Sequence, residues 1–180
     1  LKSIEMNLSE PIFTGISAAF VVGVLALLTF ESPYGVWLMF SFGSTALILF
    51  VFYDSEFAKA KNIFFGHLIS IIIGISFNQF MGMSFISLGL SVGFCVTIMM
   101  YLKIVHPPAA ANPIIALFAD VSYDFILFPV VSGSIVLIVL AYLINRFILG
   151  REFTVKKSNL KKRSKHLKLK RKKTKKNKGA

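Results

Sequence analysis

The chain has 180 residues, of which 56% are hydrophobic and only 16% are charged, whereas soluble domains carry roughly 25% charged residues. Its net charge of +12 is concentrated at one end, because residues 151–180 hold 15 of the 20 Lys and Arg residues, while residues 1–150 hold 5 basic and 7 acidic residues. This distribution excludes a nucleic-acid-binding domain and predicts a polytopic integral membrane protein followed by a basic tail.

Apolar runs follow one another along the first 150 residues. Crossing the hydrocarbon core of a bilayer takes about 20 apolar residues in a helix. The runs at or near this length are 12–30, 36–53, 63–77, 85–102 and 125–149, and a shorter piece at 109–119 is too short to span alone. We therefore predict an all-α fold, a transmembrane helical bundle of about six membrane elements within residues 1–150.

The placement of charge predicts how the elements are oriented. Cytoplasmic loops collect Lys and Arg. With six elements, Lys59, Lys61, Lys103 and both termini fall on one side, and the opposite loops contain acidic residues but no Lys or Arg. Five elements would separate Lys59 and Lys61 from the basic tail. We therefore predict a multi-pass protein of the plasma membrane with both termini in the cytoplasm.

The two halves of the bundle resemble each other. Gly66 is followed twelve residues later by the Asn-Gln-Phe of 78–80, and Gly133 is followed at the same distance by the Asn-Arg-Phe of 145–147. The offset is 67 residues, and weaker matches occur at 68 and 70. This predicts two repeats, about 12–80 and 85–149, each with three elements and inserted in opposite directions. Inverted repeats of this kind build secondary transporters and some channels.

One segment interrupts the apolar pattern sharply. Residues 107–113 contain three prolines, which cannot occupy the interior of a regular helix. Irregular backbone at membrane depth survives only where protein buries it or water reaches it. The segment from His106 to Asn112 therefore predicts a broken start to a short helix, whose free N–H groups suit an anion. A plain loop at the membrane surface is the alternative.

The matching stretch of the first repeat, residues 42–46, contains small and hydroxyl-bearing side chains that allow a ligand to approach closely. His67 lies near the start of the third element, and ionisable groups inside membranes tend to be functional. Simple helix packing and a histidine bonded to backbone are the alternatives. The predicted substrate-binding residues are Gly43, Ser44, Thr45, His67, His106, Pro107, Pro108 and Asn112.

Several chemistries are not indicated by the sequence. No carboxylate lies in the middle of an apolar run, although a cation path usually shows acidic groups or a carbonyl filter. No Ser or Cys stands beside an oriented base, and two histidines are too few for a hydrolytic metal site. We therefore predict no enzyme activity, no metal and no cofactor.

Three segments together resemble the HPP family of integral membrane proteins, in order and in spacing, over about residues 10–148. They are Phe42-Gly43-Ser44-Thr45-Ala46, the segment 62–70 around Gly66-His67-Leu68, and His106-Pro107-Pro108-Ala109. Characterised plastid and cyanobacterial members are nitrite transporters, so the resemblance implies anion transport. The family is described with four or five spans, fewer than the six elements counted above. Its usual Thr-Gly-Thr-Val before the His-Pro-Pro motif is replaced here by residues 102–105, and the following Gly-Ala-Thr-Ala by residues 110–113.

The leading hypothesis is thus a transporter or channel for a small inorganic anion, with nitrite as the example that the resemblance provides. The alternative is a membrane scaffold or sensor whose tail binds anionic lipid or a partner. Residues 151–180 are predicted to be disordered, polybasic and cytoplasmic, without a specific nucleic-acid partner. Stripes of small residues in the apolar runs allow a homo-oligomer within the lipid bilayer.

Overall fold

The computed structural model describes residues 9–33 and 35–151, and this part of the chain contains helices and no strand. The six α-helices are α1 (Ser9–Glu31), α2 (Ser41–Val51), α3 (Ala60–Met81), α4 (Phe85–Tyr101), α5 (Asn112–Phe118) and α6 (Ser132–Leu143). Short 3-10 turns precede α3 (Glu56–Ala58) and α5 (Pro107–Ala111), and π-helical turns extend α6 at both ends (Ile126–Val131 and Ile144–Ile148). Apart from Arg151, the predicted tail lies outside the described residues.

Three of these helices are long and apolar enough to cross a membrane. They are α1, α3 and the segment Ile126–Ile148, which contains α6 and is kinked at Phe128, with 23, 22 and 23 residues and mean hydropathies of 2.3, 1.6 and 2.5. The helix α4 has 17 residues, and α2 and α5 are shorter still. The predicted all-α membrane bundle is confirmed, and its six helices match the predicted number of elements.

The prediction that residues 36–53 form a spanning helix is wrong. Only Ser41–Val51 is helical, which gives a length of about 16 Å at 1.5 Å per residue. The preceding backbone is non-helical because Thr29 Oγ1 accepts hydrogen bonds from the amides of Trp37 and Leu38, at 3.0 and 3.1 Å. These bonds satisfy donors that would otherwise need a helical partner. Both α2 and α5 are therefore short helices within the bundle.

The long helices differ in how much of their surface is buried. α1 buries a single stripe, Ser17, Val21 and Leu25, whose spacing of four residues follows one helix face. α3 buries residues on several faces because it packs against α4, α5 and α6. A β-carbon at Gly74 would lie 2.7 Å from the β-carbon of Ala116, so glycine is what allows α5 to lie so close to α3.

Arg151 brings both ends of the described chain to the same end of the bundle. Its guanidinium donates to Glu10 Oε1 at 2.9 Å and Thr14 Oγ1 at 3.2 Å in α1. It also donates to the carbonyl of Phe50 in α2 at 2.8 Å and stacks over the ring of Tyr53, 4.9 Å from its centroid. The start of α1, the end of α2 and the end of the α6 segment therefore meet. We call this the basic end of the bundle.

The charged residues of the described chain are unevenly divided between the two ends. Asn62 in the first turn of α3 donates to the carbonyl of Val105, which follows α4, so α3 starts at the basic end where α4 finishes. At the opposite end, Asn78 of α3 donates to Asp120, which follows α5, at 2.6 Å. Every Lys and Arg of the described residues belongs to the basic end or its connections: Lys59, Lys61, Lys103, Arg146 and Arg151. The opposite end contains Glu31, Asp120 and Asp124. The assignment of the basic end to the cytoplasm stays a prediction.

Candidate functional site

Four of the eight predicted site residues form one hydrogen-bonded network. Thr45 of α2 lies at its centre, with its hydroxyl oxygen 2.9 Å from Nε2 of His67 and 3.0 Å from Nε2 of His106. The two imidazole rings are 5.0 Å apart, centroid to centroid. Asn112, the first residue of α5, contacts Nδ1 of His67 at 3.1 Å. All four side chains are completely buried.

The network lies within the bundle rather than at its surface. His67 is the eighth residue of α3, about 10 Å along that helix from the basic end at 1.5 Å per residue. Asn112 reaches one turn deeper, where its amide donates to Ser70 Oγ at 2.9 Å. His106 is nearer the basic end, because its Nδ1 lies 2.8 Å from the carbonyl oxygen of Phe57, which precedes α3. The side chains thus follow one another from the middle of the bundle towards the basic end.

The hydrogen-bond partners assign the proton positions on both rings. The carbonyl of Phe57 can only accept, so Nδ1 of His106 carries a proton and its Nε2 is an acceptor. The amide nitrogen of Asn112 can only donate, so Nδ1 of His67 is an acceptor and its Nε2 carries the proton. Thr45 Oγ1 therefore accepts from His67, and its single hydrogen is shared between Nε2 of His106 and the carbonyl of Ser41, which is 3.1 Å away. Both histidines are neutral in this arrangement, and every ring nitrogen has a partner.

Asn112 is held from both sides of its amide group. Its Oδ1 accepts a hydrogen bond of 2.8 Å from Ser41 Oγ in α2. Its two amide hydrogens face three acceptors, namely Ser70 Oγ, the carbonyl of His67 at 3.1 Å and Nδ1 of His67. Asn112 thereby joins α2, α3 and α5. Because two hydrogens serve three acceptors, the bond to the imidazole ring is shared rather than exclusive.

The other four predicted residues lie beside the network instead of inside it. Pro108 is buried, whereas Pro107, Gly43 and Ser44 are exposed on the outer faces of their turns. Ser44, Pro107 and Pro108 line a groove of about 350 Å³ between the two short helices. We call it the short-helix groove, and its remaining lining is apolar: Leu47, Ile48 and Ala111. The predicted set is therefore divided between a buried network and an adjacent open groove.

The predicted free backbone donors at the His-Pro-Pro segment are fewer than expected. Prolines have no N–H, and the N–H of Ala109 donates to the carbonyl of His106 at 3.0 Å. The N–H of Asn112 donates to the carbonyl of Ala109. The polar groups that an approaching ligand would meet here are therefore mainly side chains.

Sequence reasoning missed Ser41, Ser70 and the carbonyl of Phe57. Ser41 precedes Thr45 by four residues, and Ser70 follows His67 by three, so each shares a helix face with a predicted site residue. This helical spacing was the available signal for both hydroxyl groups. The Phe57 carbonyl had none, because any backbone carbonyl can accept such a bond.

A second groove opens at the basic end, next to His106. It has a volume of about 300 Å³ and is lined by Glu56, Phe57, Asn62, Met100, Lys103 and Val105. We call it the basic-end groove. The amide nitrogen of Asn62 donates to the carbonyls of Glu56 and Val105, at 2.9 and 3.2 Å. Its Oδ1 has no hydrogen-bond donor among the described residues, although Asn62 is only 4% exposed.

The chemical character of the network is that of neutral donors and acceptors. No Asp, Glu, Lys or Arg of the described chain is bonded to it, and the ring of Phe42 contacts that of His67 edge-on, with 5.2 Å between the ring centroids. Within residues 9–33 and 35–151, no group of three or more His, Cys, Asp or Glu residues could hold a metal ion. The arrangement can hydrogen-bond a small polar ligand or carry a proton along its length.

Comparison with known proteins gives one family match. The model of the HPP transmembrane region matches residues 3–154. Two transmembrane proteins of Dictyostelium discoideum are similar to the chain, one 24% identical over 84% of this chain and 52% of its own length, the other 25% identical over 63% and 42%. The chain thus spans about half the length of these curated relatives. No solved structure matches it.

Proposed function

The chain belongs to the HPP family of transmembrane proteins, and from this membership and its geometry we propose that it transports a small inorganic anion, with nitrite as the first substrate to test, across the plasma membrane. The relatives named above are described only as transmembrane proteins, so the proposal rests on the arrangement of helices and side chains. Its main support is a pair of reciprocal contacts between the two halves of the bundle.

The first contact places α3 against the segment before α5. A β-carbon added to Gly66 would lie 3.0 Å from the β-carbon of His106, which is tighter than normal packing. It would also be in ordinary contact, at 3.5 Å, with the carbonyl oxygen of Ile104 and the β-carbon of Ala109. Glycine at this position lets the irregular backbone of the second half approach the long helix of the first half.

The second contact places α6, in the second half, against the segment that leads into α2 in the first half. A β-carbon added to Gly133, in α6, would clash with the carbonyl oxygen of Trp37 and with the ring of Phe42. The same offset of 67 residues relates all three pairs of positions, which are Gly66 and Gly133, Trp37 and Ile104, and Phe42 and Ala109. Each half therefore inserts its non-helical segment and short helix against a glycine of the other half. This exchange supports the inverted repeat that the sequence predicts.

Two asparagines support the same relation. Asn145 of the α6 segment donates to the carbonyl of Leu49, near the end of α2, at 3.2 Å. Asn78 of α3, again 67 positions earlier, donates to Asp120 just after α5. Asn145 thus binds near the end of the first half's short helix, and Asn78 binds two residues beyond the end of the second half's short helix. Paired repeats of opposite orientation can rock against each other and expose a central site alternately to the two sides of the membrane.

The proposed substrate site lies between the short helices, where the network and the short-helix groove adjoin. The hydroxyl of Ser44 lines the groove. The hydroxyls of Ser41 and Thr45 and the amide of Asn112 would also donate to an anion there, but only after exchanging their present acceptors for it. Burying an unpaired charge is costly, and neutral donors compensate a small singly charged anion better than a polyvalent one. The basic residues of the bundle end would raise the local anion concentration at its mouth.

Flux measurement with purified full-length protein in liposomes tests the proposal. Nitrite, nitrate, formate and chloride uptake are compared with empty vesicles. We expect uptake of at least nitrite, and we expect Asn112→Leu to reduce it strongly, while Ser76→Ala, whose hydroxyl bonds only its own helix, leaves it unchanged. Uptake equal to that of empty vesicles for all four anions refutes the proposal.

A scaffold or sensor function is the second candidate, and the fixed position of Arg151 favours it. The arginine fastens the start of the basic segment to α1 and α2 at the basic end. The sequence that follows Arg151 is rich in Lys and Arg, and anionic lipid or an acidic partner would attract such a segment. Deleting residues 152–180 separates the two candidates, because transport should survive and recruitment of anionic vesicles should not.

A further inference from the structure

We propose that His67, Thr45 and His106 form a proton relay between the middle of the bundle and the basic-end groove, so that the transported anion moves together with a proton. The inference rests on the proposed transport function and adds its coupling ion. Three observations support it. They are the direction of the hydrogen bonds, the basic-end groove at one end of the relay, and the hydrogen bond from Asn112 to His67 at the other end, which a ligand can replace.

The hydrogen bonds between the three side chains can point the same way. His67 Nε2 donates to Thr45 Oγ1, whose single hydrogen is shared between His106 Nε2 and the carbonyl of Ser41. His106 Nδ1 donates to the carbonyl of Phe57. A chain with a single direction can pass a proton by successive short transfers, each over 2.9 or 3.0 Å between the heavy atoms. Asn112 at one end and the Phe57 carbonyl at the other fix this direction, since each can play only one role towards the ring it contacts.

The basic-end groove provides the place where the proton leaves. Phe57 lines this groove, and its carbonyl accepts the hydrogen bond from His106 Nδ1. Val105, the residue before His106, lines it as well. Asn62 Oδ1, buried in the groove wall and without a donor among the described residues, requires a hydrogen-bond donor such as water. A water bound there would lie beside the His106 segment, because the same amide contacts the Val105 carbonyl.

The other end of the relay meets the proposed substrate site. The amide of Asn112 donates a hydrogen bond to Nδ1 of His67. Its hydrogens can also be accepted by the Ser70 hydroxyl and the His67 carbonyl. A protonated weak acid, the conjugate acid of the anion, can therefore displace this bond without leaving the amide unsatisfied. Nδ1 of His67 is then free to accept a proton.

The transfer balances without any other reactant. The weak acid gives its proton to His67 Nδ1 and becomes the anion. His67 passes its Nε2 proton to Thr45, Thr45 passes its own to His106 Nε2, and His106 releases its Nδ1 proton to water in the basic-end groove. Both rings end neutral, with their protons on the opposite nitrogens, and Thr45 keeps one hydrogen. The same steps in reverse restore the first arrangement when the acid forms again.

Charged groups around the relay do not compete with it. Among the described residues, the two rings contact each other, Thr45, Asn112, the Phe42 ring and the Phe57 carbonyl, none of which is charged. The charged residues of the basic-end groove are Glu56, which pairs with Lys59 at 2.5 Å, and Lys103. A proton inside the network is thus passed on rather than held by a carboxylate.

The decisive experiment measures anion and proton movement in the same liposomes, with nitrite outside and a pH-sensitive dye inside. Thr45→Val removes the hydroxyl at nearly constant volume, and Thr45→Ser retains it. We expect the wild type and Thr45→Ser to move protons with nitrite, and Thr45→Val to lose the proton signal down to the level of empty vesicles. Size-exclusion profiles of the three proteins exclude misfolding as the cause.

The outcomes separate this inference from the proposed function. Nitrite uptake by the wild type without proton movement overturns the relay and leaves anion transport intact, as does an unchanged ratio of protons to nitrite in Thr45→Val. A second measurement needs no transport at all. ¹⁵N NMR of labelled histidine should show the Nε2–H form for His67 and the Nδ1–H form for His106, and the opposite forms would refute the relay.

Discussion

Gly133→Ala tests the reciprocal contacts on which the transport proposal depends. The added methyl group would collide with the carbonyl oxygen of Trp37 and with the Phe42 ring, and the carbonyl is backbone that cannot rotate away. Overpacking of this kind costs about 1–3 kcal/mol, and the better helix propensity of alanine recovers at most about 1 kcal/mol. Because the clash involves backbone, the upper end of this range applies, and we expect a net loss of about 2 kcal/mol in the free energy of unfolding.

The matched control is Gly89→Ala in α4, where an added β-carbon would meet nothing within 4 Å. Thermal unfolding of both variants in detergent, followed by size exclusion, gives the comparison. A loss of about 2 kcal/mol lowers Tm by roughly 4–8 °C for a chain of this length, whereas Gly89→Ala should be unchanged or slightly more stable. If Gly133→Ala unfolds at the same temperature as Gly89→Ala, the close approach of Trp37 to α6 is incorrect and the reciprocal contacts lose their support.

Three further outcomes are expected. Arg151→Met should lower the free energy of unfolding by about 1–3 kcal/mol, because it breaks charge-assisted hydrogen bonds. Arg146 is exposed, so Arg146→Met should leave stability unchanged. Equal Tm values for the two variants would contradict the contacts of Arg151. Asn145→Leu removes bonds to two carbonyls, one of them in α2, and should lower Tm by several degrees in the same assay; an unchanged Tm would show that Asn145 does not hold α2. Cys95 is fully buried, so a maleimide should label it only after denaturation. Rapid labelling of the folded protein would show that the packing of α4 described above is incorrect.

Much of the fold could be predicted because lipid imposes a simple rule on composition. Long apolar runs without charge identify α1, α3, α4 and the α6 segment, and three prolines identify the break before α5. The non-helical start of the 36–53 run could not be seen, since its composition is as apolar as a helix. Its cause is the hydroxyl of Thr29, eight residues away from Trp37, which only a folded chain brings within bonding distance.

The candidate site was predictable to a similar degree. Thr45, His67, His106 and Asn112 stand out as polar residues in apolar surroundings, and the structure places them in one network. Sequence could not show that Ser44 faces a groove while Thr45 faces the two histidines, because neighbouring residues of a helix point about 100° apart and the buried side is set by packing.

The contacts of Arg151 determine how the basic segment must be removed in any experiment. This arginine is the first residue of the tail in the sequence, but its side chain is part of the bundle and is only 11% exposed. A truncation that ends at Gly150 would separate α1 from α2 at the membrane surface as well as remove the positive charge. Loss of function in such a protein would report a loosened scaffold, whereas a truncation after Arg151 reports the tail alone.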